Sequence, residues 1–316
     1  MDIGISIPAR GPMATVETIR GLAQGAQQMG FRHLAVPDHI LVPRSIDSTY
    51  PYSASGEFPG GGSGDSLEQF TLLAWLAAIN STAKLVTSVA VVPHRGAVHT
   101  AKIAATIDLL SGGRMVVGVG AGWMREEFEA VGAPPFDARG KVTDEYIAAM
   151  KVLWTEEDPR FDGEYVKFAN IAFLPRGVQK PHPPVWVGGE SRAALRRTVR
   201  YGDVWYPIGV NPRHLLNTRP RLRKGVARLH AMAEEHGRDP AGIGLAYFVT
   251  TFDETKTVTA DTGERQILTG SAADLKEDIE FLGELGFTDL VLNFGRGTLE
   301  ASLDSMRWFA DEVRGG

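Results

Sequence analysis

The sequence predicts an α/β fold, a (β/α)8 TIM barrel. Short β-branched apolar runs alternate with stretches of helical periodicity from one end of the chain to the other. Eight such pairs follow in order with no block of strands or helices set apart, the pattern of a barrel. The 316 residues suit one barrel of about 250 residues plus insertions. A doubly wound open sheet is the competing architecture; the count of eight and the length favour the barrel. No linker divides the chain, so residues 1–316 are read as one domain.

Each element has its own local reason. Ile3 to Ile7 is a short strand, and Thr15 to Met29 a helix closed by Gly30. His33 to Val36 is the second strand and ends in Pro37-Asp38-His39; Leu67 to Ile79 returns as a helix with Ser66 as its expected N-cap. Lys84 to Val92 is a β-branched third strand, Ala97 to Leu110 its helix, and Met115 to Val119 the fourth strand. Helical segments follow near Met124 to Val131 and Ala138 to Trp154. Val185 to Val187 is the fifth strand with a helix from Arg192 to Tyr201, and Val204 to Pro207 the sixth with a polar helix from Arg213 to His236. Ile243 to Thr250 is the seventh, with a helix from Ala272 to Leu285; Leu290 to Asn293 is the eighth, and Leu299 to Val313 closes the chain. Three segments exceed ordinary loop length, as insertions after strands two, four and seven: Ile40 to Asp65, Glu156 to Pro184 with a short hairpin at Glu164 to Phe168, and Phe252 to Thr269. The first, rich in glycine, is the lid candidate.

Composition narrows the function classes. A net charge of −5 gives no basic footprint for nucleic acid. The absence of cysteine removes disulfides, thiolate nucleophiles and thiolate metal sites together. No apolar run approaches the length of a membrane span, and the opening MDIGISIPAR runs straight into a strand pattern, so a cytoplasmic protein is expected. The eight histidines are scattered without metal-ligand spacing, and no GxSxG elbow or GxxxxGK[ST] loop occurs. The glycines after the fourth strand do not fit a Rossmann fingerprint, because Arg125 falls where a small residue is needed.

Strand ends carry the candidate chemistry. Gly118 and Gly120 open one face of the fourth strand and Gly122 extends the spacing, which predicts close approach of something flat beside Ala121 and Trp123. Asp38-His39 offers a proton-active imidazole beside a carboxylate; the plainer reading makes Asp38 a loop cap and His39 a buried hydrogen-bonded residue. Gly188-Gly189-Glu190-Ser191 before a helix offers free N–H groups as a phosphate seat, or simple capping by Ser191. Arg95 reads as a solvated residue at a loop start. The pairs Glu126-Glu127, Glu156-Glu157 and Glu234-Glu235 read as solvated helix faces.

The runs TIDLLSGGRMVVGVGAGWMREEFEAVG and PPVWVGGESRAALRRTVRYGDVWYP, with VPDH after strand two, resemble the luciferase-like monooxygenase superfamily over nearly the whole chain. The nearest branch is the actinobacterial type assigned to the deazaflavin coenzyme F420. The resemblance implies a bacterial luciferase-like barrel that holds a flavin or deazaflavin at its carboxyl face, and an enzyme that exchanges a hydride with a small organic substrate. It implies that Asp38 and His39 face ring and substrate, that Ser88-Val89 form a strand-three bulge with a non-prolyl cis peptide, that Ala121-Gly122-Trp123 line the ring edge, and that Gly188, Gly189, Glu190 and Ser191 bind phosphate. Trp123 stands where sugar-phosphate relatives carry an acid, which implies a more apolar pocket. The polyglutamate tail of coenzyme F420 would call for a basic groove, for which Arg44, Arg95, Arg125 and Arg192 are the candidates. FMN, with a separate flavin reductase as partner, is the alternative cofactor; a non-catalytic carrier or sensor is the alternative of another class. The family further implies a homodimer.

Overall fold

The computed structural model describes residues 1–59, 65–250 and 252–315. Its strands are β1 Asp2–Ser6, β2 His33–Val36, β3 Lys84–Thr87, β4 Ala90–Val91, β5 Met115–Gly120, β6 Phe161–Asp162, β7 Lys167–Phe168, β8 Val185–Gly188, β9 Val204–Tyr206, β10 Gly244–Val249 and β11 Phe287–Leu292. The helices are α1 Val16–Gln28, α2 Gln69–Ile79, α3 Ala97–Ser111, α4 Arg125–Ala130, α5 Arg139–Thr155, α6 Arg192–Tyr201, α7 Arg219–Glu235, α8 Ala272–Glu284 and α9 Leu299–Trp308, with a π-helical turn from Phe309 to Arg314.

The main sheet is parallel and closes. Its order is β3-β2-β1-β11-β10-β9-β8-β5-β4, and β3 also pairs with β5, which completes the ring. β3 and β4 share the third place, so eight strand positions surround the lumen. The expected barrel is therefore the observed one. Seven strands fall where the sequence puts them because continuous apolar runs suit strands buried on both faces; the eighth starts at Phe287 rather than Leu290.

Two packed layers hold the ring. Inside, Ala35, Val86, Val116, Trp186, Tyr206, Ala246 and Val291 fill the lumen. Outside, the helices bury a larger shell that includes Trp154, Trp205, Leu222 and Phe309. At the amino end, His33 reaches 2.8 Å from Asp289, which also meets Lys84. Gly4 makes room for this histidine: a Cβ on Gly4 would lie 2.2 Å from His33 Cβ.

Several boundaries differ from the sequence reading, each for a local reason. The third strand breaks at Ser88-Val89, which is a non-prolyl cis peptide bond as the resemblance implied. Glu68 rather than Ser66 caps α2, accepting from the Thr71 N–H; the Ser66 hydroxyl donates to the His39 carbonyl at 2.6 Å instead. The polar helix begins at Arg219, not Arg213, because Pro220 seats well at a first turn. The hairpin pairs Phe161-Asp162 with Lys167-Phe168 and so starts earlier than expected. The second insertion runs from α5 to β8. The glycine run at 60–64 within the first insertion lies outside the described residues.

Candidate functional site

A pocket of about 590 Å³ opens at the carboxyl end of the barrel, within the usual range for a small-molecule site. Of the residues singled out in the sequence, Asp38, His39, Ser88, Val89, Ala121, Gly122, Trp123 and Gly188 to Ser191 all line it. Segments after β1, β2, β3, β5, β8, β9 and β10 and the starts of α5 and α6 thus converge on one space.

His39 is held from below. Its Nδ1 lies 2.8 Å from Glu127 Oε2, and Glu127 is only 1% exposed. The other oxygen of Glu127 accepts the N–H groups of Ile40 at 2.8 Å and Leu41 at 3.3 Å. Burial by itself would raise the pKa of Glu127, but the His39 hydrogen bond, the charges of His39 and His94 and the Ile40 N–H together lower it. Glu127 is therefore a carboxylate at neutral pH, and it selects the tautomer with the proton on Nδ1. Nε2 is left as the ring nitrogen available to the pocket. Beneath it, His94 Nδ1 is 3.8 Å from Glu127 Oε1, and burial lowers the pKa of His94 against the pull of Glu127 and Asp38.

The solvated reading of the glutamate pair is overturned here. Glu126 and Glu127 point apart, as adjacent helical residues must, yet both grip the loop after β2. Glu126 accepts from the N–H groups of Asp47 at 2.7 Å and Ser48 at 2.9 Å and from the Ser48 hydroxyl at 2.7 Å. Glu156, Glu157, Glu234 and Glu235 are exposed as expected. The role of Glu127 was hidden because its partner is 88 residues away, and nothing local in EEFEA distinguishes a buried acid from a solvated one.

Arg95 also departs from expectation. Its guanidinium is 10% exposed and forms a fork onto Asp38, with bonds of 2.8 and 2.9 Å. Asp38 further accepts the Val91 N–H at 2.9 Å. The Asp38 carboxylate is wholly buried, so its lone pairs tie the loop after β2 to β4. It positions His39 by backbone geometry and presents no free oxygen to the pocket.

The close approach predicted by the glycines comes from the chain itself. A Cβ on Gly118 would stand 1.9 Å from the Thr87 carbonyl oxygen, and one on Gly120 would stand 2.7 Å from a Val89 methyl. The same side chain lies 3.0 Å from the Cβ position of Gly188. The Ser88-Val89 bulge thus projects Val89 over three side-chain-free positions on β5 and β8. Below it the Ser88 hydroxyl meets the Tyr206 hydroxyl at 3.1 Å, and burial pushes the Tyr206 phenol upward.

On the far wall, Gly189 takes φ +101°, a conformation that favours glycine. Ser191 caps α6, accepting from the Ala194 N–H at 3.2 Å. The capping reading is thus present, and it leaves the Arg192 and Ala193 N–H groups without intrahelical acceptors. The Glu190 side chain turns inward, accepting from the Ile208 N–H at 2.7 Å and the Gly209 N–H at 3.3 Å. Burial raises its pKa against those bonds. Arg139, at the start of α5, stacks 4.0 Å from the Phe136 ring centroid and donates to the Gly122 and Phe136 carbonyls. The proposed arginine groove is not assembled: Arg95 is spent on Asp38 and Glu68, and Arg125 pairs with Asp137 at 2.7 Å.

The roof is aromatic. Tyr50, Tyr52 and Phe58 from the first insertion line the pocket, and Phe58 and Tyr50 each stand 5.1 Å from Trp123. His39 lies 5.1 Å from Phe58 and 6.1 Å from Trp123. The described part of the insertion expected as a lid thus lines the pocket with aromatic rings.

Comparisons with known proteins bear on the fold and on the family. The chain is 37% identical over 184 residues to an uncharacterized protein of Mycobacterium tuberculosis, covering 58% of this chain and 64% of that protein. It is 31% identical over 247 residues to an FMNH(2)-dependent dimethylsulfone monooxygenase of Pseudomonas putida, covering 77% and 61%. Each match spans less than two thirds of the relative's own length. Among solved structures, an F420-dependent secondary alcohol dehydrogenase superposes with a TM-score of 0.75 at 17% identity, over 99% of this chain and 98% of that one. A monooxygenase from Streptomyces bottropensis superposes with a TM-score of 0.74 at 23% identity, over 99% of both chains. These two likenesses speak for the fold. The model of the family described as luciferase-like monooxygenase matches residues 1–262, from the first strand into the loop after β10, and on that match the chain belongs to the luciferase-like monooxygenase family of oxidoreductases.

Proposed function

We propose that this chain is an oxidoreductase that exchanges a hydride between coenzyme F420 and a small organic molecule. One observation carries the reading: a single pocket joins the N-terminus of α6 at Gly188 to Ser191, where the Ser191 cap takes only the Ala194 N–H, to an imidazole whose Nδ1 is fixed by a buried carboxylate. The chain fits such a cofactor. The turn before α6 offers backbone N–H groups and a partial positive charge for a phosphate. Val89, Ala121 and Gly122 offer a wall without large side chains. When bound, the cofactor supplies or accepts the hydride at its central ring.

The residues of the chain do the rest. Glu127 holds His39 so that Nε2 serves as proton donor or acceptor, balancing the charge that hydride exchange leaves on the substrate. Tyr50, Phe58 and Trp123 exclude water from that exchange. Asp38 and Arg95 fix the loop that carries His39. A fixed His–Glu pair is not needed for mere storage, which weighs against a carrier or sensor.

FMN remains the second reading, favoured by the dimethylsulfone monooxygenase relative, and it would bring a flavin reductase as partner. The test is titration with coenzyme F420 and with FMN, followed by tryptophan fluorescence, with Trp123→Phe as the blank. Saturable quenching by coenzyme F420 alone is the expected outcome. Saturation by FMN alone would transfer the assignment to the second reading, and no response to either would remove both.

A further inference from the structure

The proposed cofactor seat accounts for the β8 side of the pocket and leaves the β1 side unexplained. In the closed ring, β1 and β8 are four places apart in either direction. The turn after β1 and the N-terminus of α6 therefore face each other across the mouth. The turn after β1 carries Arg10, which lines the pocket. Its guanidinium lies 4.0 Å from the centroid of Phe58. Phe58 in turn packs 5.1 Å from Tyr50, from Trp123 and from His39.

Arg10 is a cation without a counter-charge. Among the described residues it has no ion pair and no hydrogen bond, whereas Arg95, Arg125 and Arg197 each meet a carboxylate. The acids that line the same pocket are engaged elsewhere: Asp38 by Arg95, Glu190 by the Ile208 and Gly209 N–H groups, and Asp137 by Arg125. Burial lowers the pKa of Arg10 against the opposing influence of Tyr50, the sign of a charge that has lost water and gained no partner. One face of the guanidinium is spent on Phe58; its in-plane N–H fork is not. That fork matches a carboxylate edge-on, and the surrounding rings match a flat body. A tetrahedral dianion would want more than one cation, and its natural seat is the helix terminus opposite.

We propose that Arg10, with Phe58, Tyr50 and Trp123, forms a subsite for a small planar carboxylate, its anion on Arg10 and its flat body among the rings. This substrate class rests on the hydride-exchange reading only in setting that body beside His39; the binding itself stands apart from it.

The probes are benzoate and its neutral analogue benzamide, titrated calorimetrically into the protein alone and into protein saturated with whichever of coenzyme F420 and FMN it takes. Wild type should prefer benzoate by roughly ten- to a hundredfold, the range for a hydrogen bond to a charged group. Arg10→Gln should erase the preference and hold benzamide within a few-fold, and Arg10→Lys should keep part of it. Equal affinities in wild type, no saturable binding of either probe at millimolar concentration, or a preference that survives in Arg10→Gln would each overturn the subsite. If Arg10→Gln loses benzamide too, Arg10→Lys decides: a retained preference supports the subsite, and loss of the preference or of both probes makes Arg10 a structural pin. A protein that takes neither coenzyme F420 nor FMN yet prefers benzoate would end the cofactor reading and leave the subsite standing.

Discussion

At the scale of single residues, the proton-handling pair is the most exposed claim. His39→Asn should bind cofactor within a few-fold of wild type and lose turnover by roughly 10²–10⁴, the usual worth of a general acid or base. Steady-state kinetics beside a binding titration checks this, and near-normal turnover would move the proton source elsewhere. Glu127→Gln keeps the shape and removes the charge, so at least tenfold of turnover should go with it. Its stability signature has a fixed sign. A carboxyl whose folded pKa is lowered adds stability above its unfolded pKa and loses it as pH falls through the folded value. Chemical denaturation should therefore find Glu127→Gln weaker than wild type near neutrality and the gap narrower in acid. His39 was legible in the sequence because it sits at a strand end, where barrel chemistry gathers. Glu127 was not, since helix position alone gives no sign that the loop after β2 folds back over α4. Arg95 was misjudged for the same reason: its fork is answered by Asp38, 57 residues earlier.

At the scale of elements, the bulge between β3 and β4 sets the shape of the pocket. Gly118→Ala would drive a methyl to 1.9 Å from the Thr87 carbonyl oxygen, a backbone atom that cannot rotate aside. The expected result is a loss of about 3 kcal/mol or more, at the upper end of overpacking effects, read as a lower denaturation midpoint at unchanged slope. Gly189→Asp tests the opposite wall. Its φ of +101° and a carboxylate beside the proposed phosphate seat should both weaken cofactor binding; unchanged affinity in a folded variant would clear the turn of that role. The strands were legible because β-branched runs bounded by turn residues admit few alternatives. The glycines were legible as a sign of crowding but not of what crowds them, because a bulge on the neighbouring strand, about 30 residues earlier in the chain, leaves no mark on GVGAG.

At the scale of the whole molecule, the amino end of the barrel holds its own charge cluster. Asp289 on β11 joins His33 on β2 and Lys84 on β3. Its burial would raise the carboxyl, but hydrogen bonds from His33 and Thr288 and the charges of His33 and Lys84 bring it down to about 2. A lowered carboxylate stabilises the ring above the unfolded pKa near 3.8 and ceases to do so as pH falls through about 2. Asp289→Asn should then cost at most about 2 kcal/mol at neutral pH, and the two proteins should converge in strong acid, as thermal melts across a pH series would show. Eight strands in order made the ring legible; this seam was hidden, since three distant residues with nothing in common locally compose it.

The first turn of α4 does two jobs with two neighbouring carboxylates. Glu127 steadies the imidazole and the start of the loop after β2, and Glu126 pins that loop at Asp47 and Ser48. The His39 ring and the loop after β2 are thus both held by one six-residue helix. A substitution that displaced the Glu126 contacts with Asp47 and Ser48 would therefore act on the same helix that orients the His39 ring.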